Sequence, residues 1–152
     1  MNRFAVYFGR LVLMMAGFFA ACLVASLFLH LTWFGPSIAA MEPADRPAAA
    51  PLYFSVPFLA MMAGHAGFFQ SLVLLAAAEI WQRRGWLFYA LGGAAVALPV
   101  VAAFMQDRGI QAFLAATFIG AGMAGGIAYW IVAGRSAGLW IERVRDDAAP
   151  RP

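Results

Sequence analysis

Lysine is absent from this sequence, and charge of either sign is scarce: aspartate, glutamate and arginine together make up 11% of its 152 residues. A soluble domain of ordinary composition carries roughly a quarter of its residues as charges. The shortage excludes a charged, water-facing surface over most of the chain. Cysteine occurs once, as Cys22 inside an apolar run, which excludes an intramolecular disulfide and leaves the redox compartment open. The only histidines are His30 and His65, and no His/Cys/Asp/Glu cluster has metal-ligand spacing, so no structural metal is expected. The glycines from Gly120 to Gly126 lie in an apolar span without lysine, unlike a phosphate-cradling loop. No serine has a plausible base and orienting acid near it in an aqueous segment. The expectation is therefore a protein that is not an enzyme and holds no cofactor.

What the chain has in abundance is apolar length. Hydrophobic residues make up 64% of it, with a mean hydropathy of +0.81. They fall in long runs at about 11–34, 52–81, 86–105 and 110–133. A run of about 18 or more such residues is the signature of a bilayer-spanning helix. The pattern predicts an all-α, four-transmembrane-helix bundle forming a single domain over residues 1–152. A loop at 35–51 and a tail at 134–152 complete it.

The first run resembles a secretory signal, since Arg3 and Arg10 precede it and Ser37 and Ala39 look like a cleavage site. A signal-peptide core is only ~7–15 residues, and this run is longer, so it reads as a retained anchor. Gly35 and Pro36 are expected to stop the first helix. The second run would be ~45 Å long as a helix, against a hydrocarbon core of ~30 Å, and should tilt or protrude. Pro57 near its start is tolerated, whereas Pro99 in the third run should bend its helix. Short polar turns at Gln82–Gly85 and Gln106–Gly109 join antiparallel neighbours.

The arginines set an orientation. If four spans alternate, Arg3, Arg10, Arg83, Arg84, Arg135, Arg143, Arg145 and Arg151 fall on one side, with Arg46 and Arg108 opposite. Positive-inside bias predicts both termini in the cytoplasm and the 35–51 loop in the periplasm. The basic residues are scattered over short flanks, so the pI of about 9.6 does not point to nucleic acid. Trp81, Arg83, Arg84, Trp86, Trp130, Arg135 and Trp140 read as interfacial anchors, with Trp140 dipping into the headgroups from the tail. Arginine without lysine, together with abundant alanine, fits a GC-rich bacterial gene and an inner-membrane location.

Helices in lipid associate by close packing, which small residues permit. Gly122 and Gly126 are the strongest such pair, flanked by Ala121 and Gly125. Gly93 with Ala97, and Gly17 with Ala21 and Ala25, are weaker examples. Internal packing is the preferred reading over a dimer contact.

Ionisable residues inside spans are functional candidates by default, and here they are His65, Glu79 and His30. His65 lies near mid-span among Ala63, Gly64, Ala66 and Gly67; it reads as a neutral imidazole bonded to a neighbouring helix, or as a relay, ligand contact or haem ligand. His30 shares a face with Cys22 and Ser26 at four-residue spacing, a packing stripe. Its depth differs from that of His65 by ~10 Å or more, which makes a bis-histidine haem site within one chain awkward. Glu79 is expected to pair with Arg83 one turn on. It also lies two heptads from His65, nearly on the same face, whereas Gln70 is off that line.

Two segments look familiar: Glu79–Gly93 (EIWQRRGWLFYALGG) and Tyr129–Trp140 (YWIVAGRSAGLW). They resemble parts of small four-span bacterial inner-membrane proteins to which no activity is attached. The likeness covers the second to fourth runs and the tail, and is weaker over the first run. It implies the topology and carries over no ligand or catalytic residue. The leading functional expectation is a non-enzymatic accessory protein of the lipid bilayer, with a membrane-protein partner or as a homo-oligomer. A small oligomeric transporter using His65 and Glu79, and a haem- or quinone-associated redox subunit using His65, are the alternatives.

Overall fold

The computed structural model describes residues 3–42, 50–108 and 112–139. Four helices account for nearly all of them: α1 (Arg3–Ala39), α2 (Ala50–Ile80), α3 (Trp86–Arg108) and α4 (Ala112–Val132). All four are long and apolar enough to cross a membrane. Their apolar residues do not concentrate on one stripe. Phe4, Phe19, Phe58, Phe69 and Val73 all face outward. Water would not tolerate so much exposed apolar surface, whereas lipid tails match it. Backbone groups within each helix bond to one another, which is what a bilayer demands.

The helices run alternately up and down. Each neighbouring pair is antiparallel, because early residues of one meet late residues of the next. Gly17 on α1 packs against Tyr129 and Ala133 at the end of α4, and Gly120 near the start of α4 meets Phe28 further along α1. Helix α4 packs most extensively, against α1 on one side and α3 on the other, while α2 and α3 meet over a thin seam.

Glycine explains why α3 and α4 approach so closely. A Cβ on Gly93 would overlap the Gly122 carbonyl oxygen, and one on Gly126 would overlap that of Tyr89. Their backbones touch directly. Gly125 does the same on the other face of α4, where a Cβ would lie 2.9 Å from the Ala21 carbonyl oxygen of α1.

Several boundaries differ from expectation, and α3 runs through Gln106 and Asp107 to Arg108, where a polar turn was expected at Gln106–Gly109. Helix α1 begins at Arg3 and continues through Gly35 and Pro36 to Ala39. Glycine and proline stop helices in water because freed backbone groups are readily hydrated. In an apolar medium continued helix is the better solution, and the Ala40 amide still donates to the Pro36 carbonyl at 3.1 Å. Of the loop expected at 35–51, residues 35–39 continue α1 and 50–51 begin α2, while 43–49 lie outside the described residues. Helix α2 ends where the turn was expected, in a defined cap. Gln82 takes a left-handed φ of 51°; its amide donates to the Glu79 carbonyl and the Arg83 amide to that of Ala78. That is a Schellman closure with glutamine in place of the usual glycine.

Candidate functional site

The polar groups gather at the end of the bundle where α1 begins and α2 and α4 finish. Arg10 and Glu79, both buried, form an ion pair between α1 and α2. Arg10 also donates through Nη1 to the Ala133 carbonyl (3.1 Å) and to Ser136 Oγ (2.8 Å). The second Glu79 oxygen accepts from the Gly138 amide at 3.0 Å. The segment after α4 opens with a 3₁₀ turn, Gly134–Ser136, and is thereby tied to both helices. Gly138 sits at φ 76°, a conformation that favours glycine, and a Cβ there would press on the Gln82 side chain at 2.6 Å.

A second ring of bonds surrounds this lock. Arg84 Nε donates to the Ala137 carbonyl (2.9 Å), Trp130 Nε1 to that of Arg84 (2.7 Å) and the Tyr89 hydroxyl to that of Arg83 (3.0 Å). The Tyr89 and Tyr129 rings stack beneath it at 5.5 Å. The arrangement joins all four helices and the segment after α4. Burying one ion of such a pair alone costs several kcal/mol, so it holds because each charge has further hydrogen bonds.

The pairing of Glu79 with Arg83 expected from i,i+4 spacing is therefore replaced by pairing with Arg10. The helix stops at Ile80 and reverses at Gln82, so residue 83 is not a helical turn away from residue 79. The Arg83 side chain is exposed.

His65 occupies a different environment. It is the central residue of α2, exposed to the side of the bundle, with no hydrogen-bond partner among the described residues. It lines a groove of about 890 Å³ between α1 and α2, with Met15, Phe18, Cys22, Met61 and Phe69 among its walls. The two-heptad relation to Glu79 breaks down because 14 residues fall about 40° short of four whole turns. That offset carries His65 off the seam that buries Glu79.

His30 is buried and donates from Nδ1 to the Ser26 carbonyl at 2.8 Å, since a carbonyl can only accept. Ser26 Oγ crosses to the Val56 carbonyl of α2 at 2.7 Å. His30 does not line the groove, so the two histidines are not brought together. No group of three or more His, Cys, Asp or Glu side chains converges among the described residues.

The structure places Gly17, Gly93, Gly122 and Gly126 at helix contacts. Trp81 and Trp86 are exposed beside the α2–α3 turn, and the Arg135 guanidinium lies 4.5 Å from the centre of the Trp130 ring. Trp140 lies outside the described residues. Sequence reasoning missed Arg10, Ser136 and Gly138 as members of one site. The available signal was Glu79 itself: a carboxylate in an apolar helix needs a cation at matching depth, and Arg10 is flanked by apolar residues. No known family, curated protein or solved structure matches the chain.

Proposed function

We propose that this protein is a non-enzymatic accessory subunit of the bacterial inner membrane, with both termini in the cytoplasm, that seats a transmembrane helix of a partner protein in the α1–α2 groove. The observation that carries this reading is His65: an imidazole at the centre of a span, unpartnered among the described residues, opening sideways toward lipid. An unmet polar group in hydrocarbon is costly, and a hydrogen-bonding side chain on an incoming helix relieves that cost. The groove follows the helix direction, from Met15 to Leu23 on α1 and from Pro57 to Phe69 on α2. Along α2 that is ~18 Å at helical rise, about three turns of a docked helix. Methionine lining adapts to a helix surface better than branched side chains do. The one-sided arginines support the orientation.

A transport path is disfavoured by the same geometry. Glu79 is clamped by Arg10 and the Gly138 amide, and His65 opens to the side rather than toward it. The quinone alternative draws support from the edge-on Phe18–Phe68 pair, at 5.9 Å, beside the imidazole.

Photo-crosslinking in native membranes separates these readings. A photoreactive residue at Met61, inside the groove, should capture a defined membrane protein. One at Ile131, exposed on α4, should not. His65→Leu should weaken that capture while leaving the chain's abundance unchanged. Capture of a second copy would make the groove a homo-oligomer contact, and a quinone adduct would transfer the site to redox chemistry. Equal capture from both positions, insensitive to His65, would defeat the docking reading.

A further inference from the structure

We propose that the turn between α2 and α3, together with Arg135, binds the phosphate of an anionic membrane phospholipid. The turn residues Trp81 to Gly85 line an open recess of about 610 Å³ at the end of the bundle. Arg83 and Arg135 are both exposed, and neither guanidinium donates to any acceptor among the described residues. Trp130 links Arg135 to the turn that carries Arg83. Its indole nitrogen holds the Arg84 carbonyl at 2.7 Å, and its ring face carries the Arg135 guanidinium at 4.5 Å. Arg84 is fixed in turn on the Ala137 carbonyl. These bonds hold the turn against the segment after α4, so both arginines stem from one fixed frame.

Among the described residues the charge balance leaves this patch positive. Glu79 is the acid that the described residues bring to this end, and it is neutralised by Arg10 inside the lock. A stacked guanidinium keeps its edge donors available, and that edge matches two phosphate oxygens at once. Basic recesses between spans, at the level where helices end, are where lipid headgroups sit.

A diacyl lipid, rather than free phosphate, is the ligand because of what borders the recess. Ile80, Trp81, Trp86 and Leu87 are all more than half exposed there. They provide an apolar flank for the glycerol and upper acyl chains, with tryptophans at interfacial depth. Free phosphate would leave that flank unused.

The test uses the full chain purified in a neutral detergent. Phosphatidylglycerol should remain bound in native mass spectrometry and raise the melting temperature. Phosphatidylcholine or inorganic phosphate at the same concentration should do neither. In the Arg83→Gln/Arg135→Gln double variant, affinity for phosphatidylglycerol should fall roughly 30-fold, equivalent to about 2 kcal/mol from two surface arginines. Melting without lipid should be unchanged, because neither side chain belongs to the lock. A shift by inorganic phosphate equal to that by the lipid would overturn the lipid assignment. Equal retention of the two lipids, or undiminished binding by a double variant that melts normally, would overturn the site. A double variant that melts early would overturn the separation of this patch from the fold, and Arg83→Gln alone then reads the binding loss.

Discussion

The two halves of the bundle are held together by opposite means. Helices α3 and α4 touch backbone to backbone along Gly93, Gly122 and Gly126. Helices α1 and α2 are tied by polar clips at two levels, Arg10 to Glu79 and Ser26 to the Val56 carbonyl. Between those clips the large side chains of Phe18, Phe68, Met15 and Met61 line the groove. In lipid there is no hydrophobic drive to close a gap between helices. A seam therefore closes only where small residues allow it, and stays open where bulky residues stand between two fixed points. One half is closed, and the other is left open, as the proposed docking of a partner helix requires.

The sharpest way to break the contrast is to cut the clip at the polar end. Arg10→Ala or Glu79→Ala leaves a buried charge unpaired and should destabilise the fold by roughly 3–5 kcal/mol. Unfolding in mixed micelles would measure it. The double replacement Arg10→Met/Glu79→Leu should recover most of that loss, because apolar residues of similar volume need no partner. If the double variant is no better than the singles, the bonds to Ser136 and Gly138 carry the stability instead of the ion pair.

A smaller effect is expected at the glycine seam. Gly126→Ala pushes a methyl into the Tyr89 carbonyl and should cost about 1–3 kcal/mol as α3 and α4 separate. Gly9→Ala is the matched control: it lies within α1 with nothing within 4 Å of the added carbon. There the replacement should be neutral or stabilise by up to about 1 kcal/mol through helix propensity. Equal melting of the two variants would show that the close α3–α4 approach is not what holds that half.

The groove should tolerate the same change. A Cβ on Gly64 would meet Cys22 Sγ at 3.2 Å and the Phe18 ring at 3.6 Å, and both side chains border open space. Gly64→Ala should therefore shift stability by less than about 1 kcal/mol. A larger loss would mean that the α1–α2 seam is as tightly fitted as its counterpart.

The sequence made the helices legible because hydrophobic length alone decides whether a segment can span lipid. It marked Gly93 and Gly122 as small residues suited to close contact, but not that they would meet each other. The end of α1 was misjudged because glycine–proline punctuation is a rule learned in water. The partner of Glu79 was misjudged for another reason. Spacing along one helix cannot reveal that the chain turns at Gln82, nor that Arg10, 69 residues away, arrives at the same depth. Gly138 was beyond reach, since its left-handed backbone has meaning only against the Gln82 side chain it faces.

His65 carries the smallest expected effect on the chain and the largest on its company. In the isolated protein, His65→Leu removes a polar group that has no partner among the described residues, so stability should change by no more than about 0.5 kcal/mol. In native membranes the same substitution should release whatever occupies the groove, read as loss of co-migration on native gels. Arg10→Ala predicts the reverse order: the fold weakens first and association falls with it. Measuring both variants in both settings separates a residue that keeps the bundle together from one that faces outward to be met. If His65→Leu instead weakens the isolated chain as much as Arg10→Ala does, the imidazole is structural, and the open groove is only the space that bulky side chains leave behind.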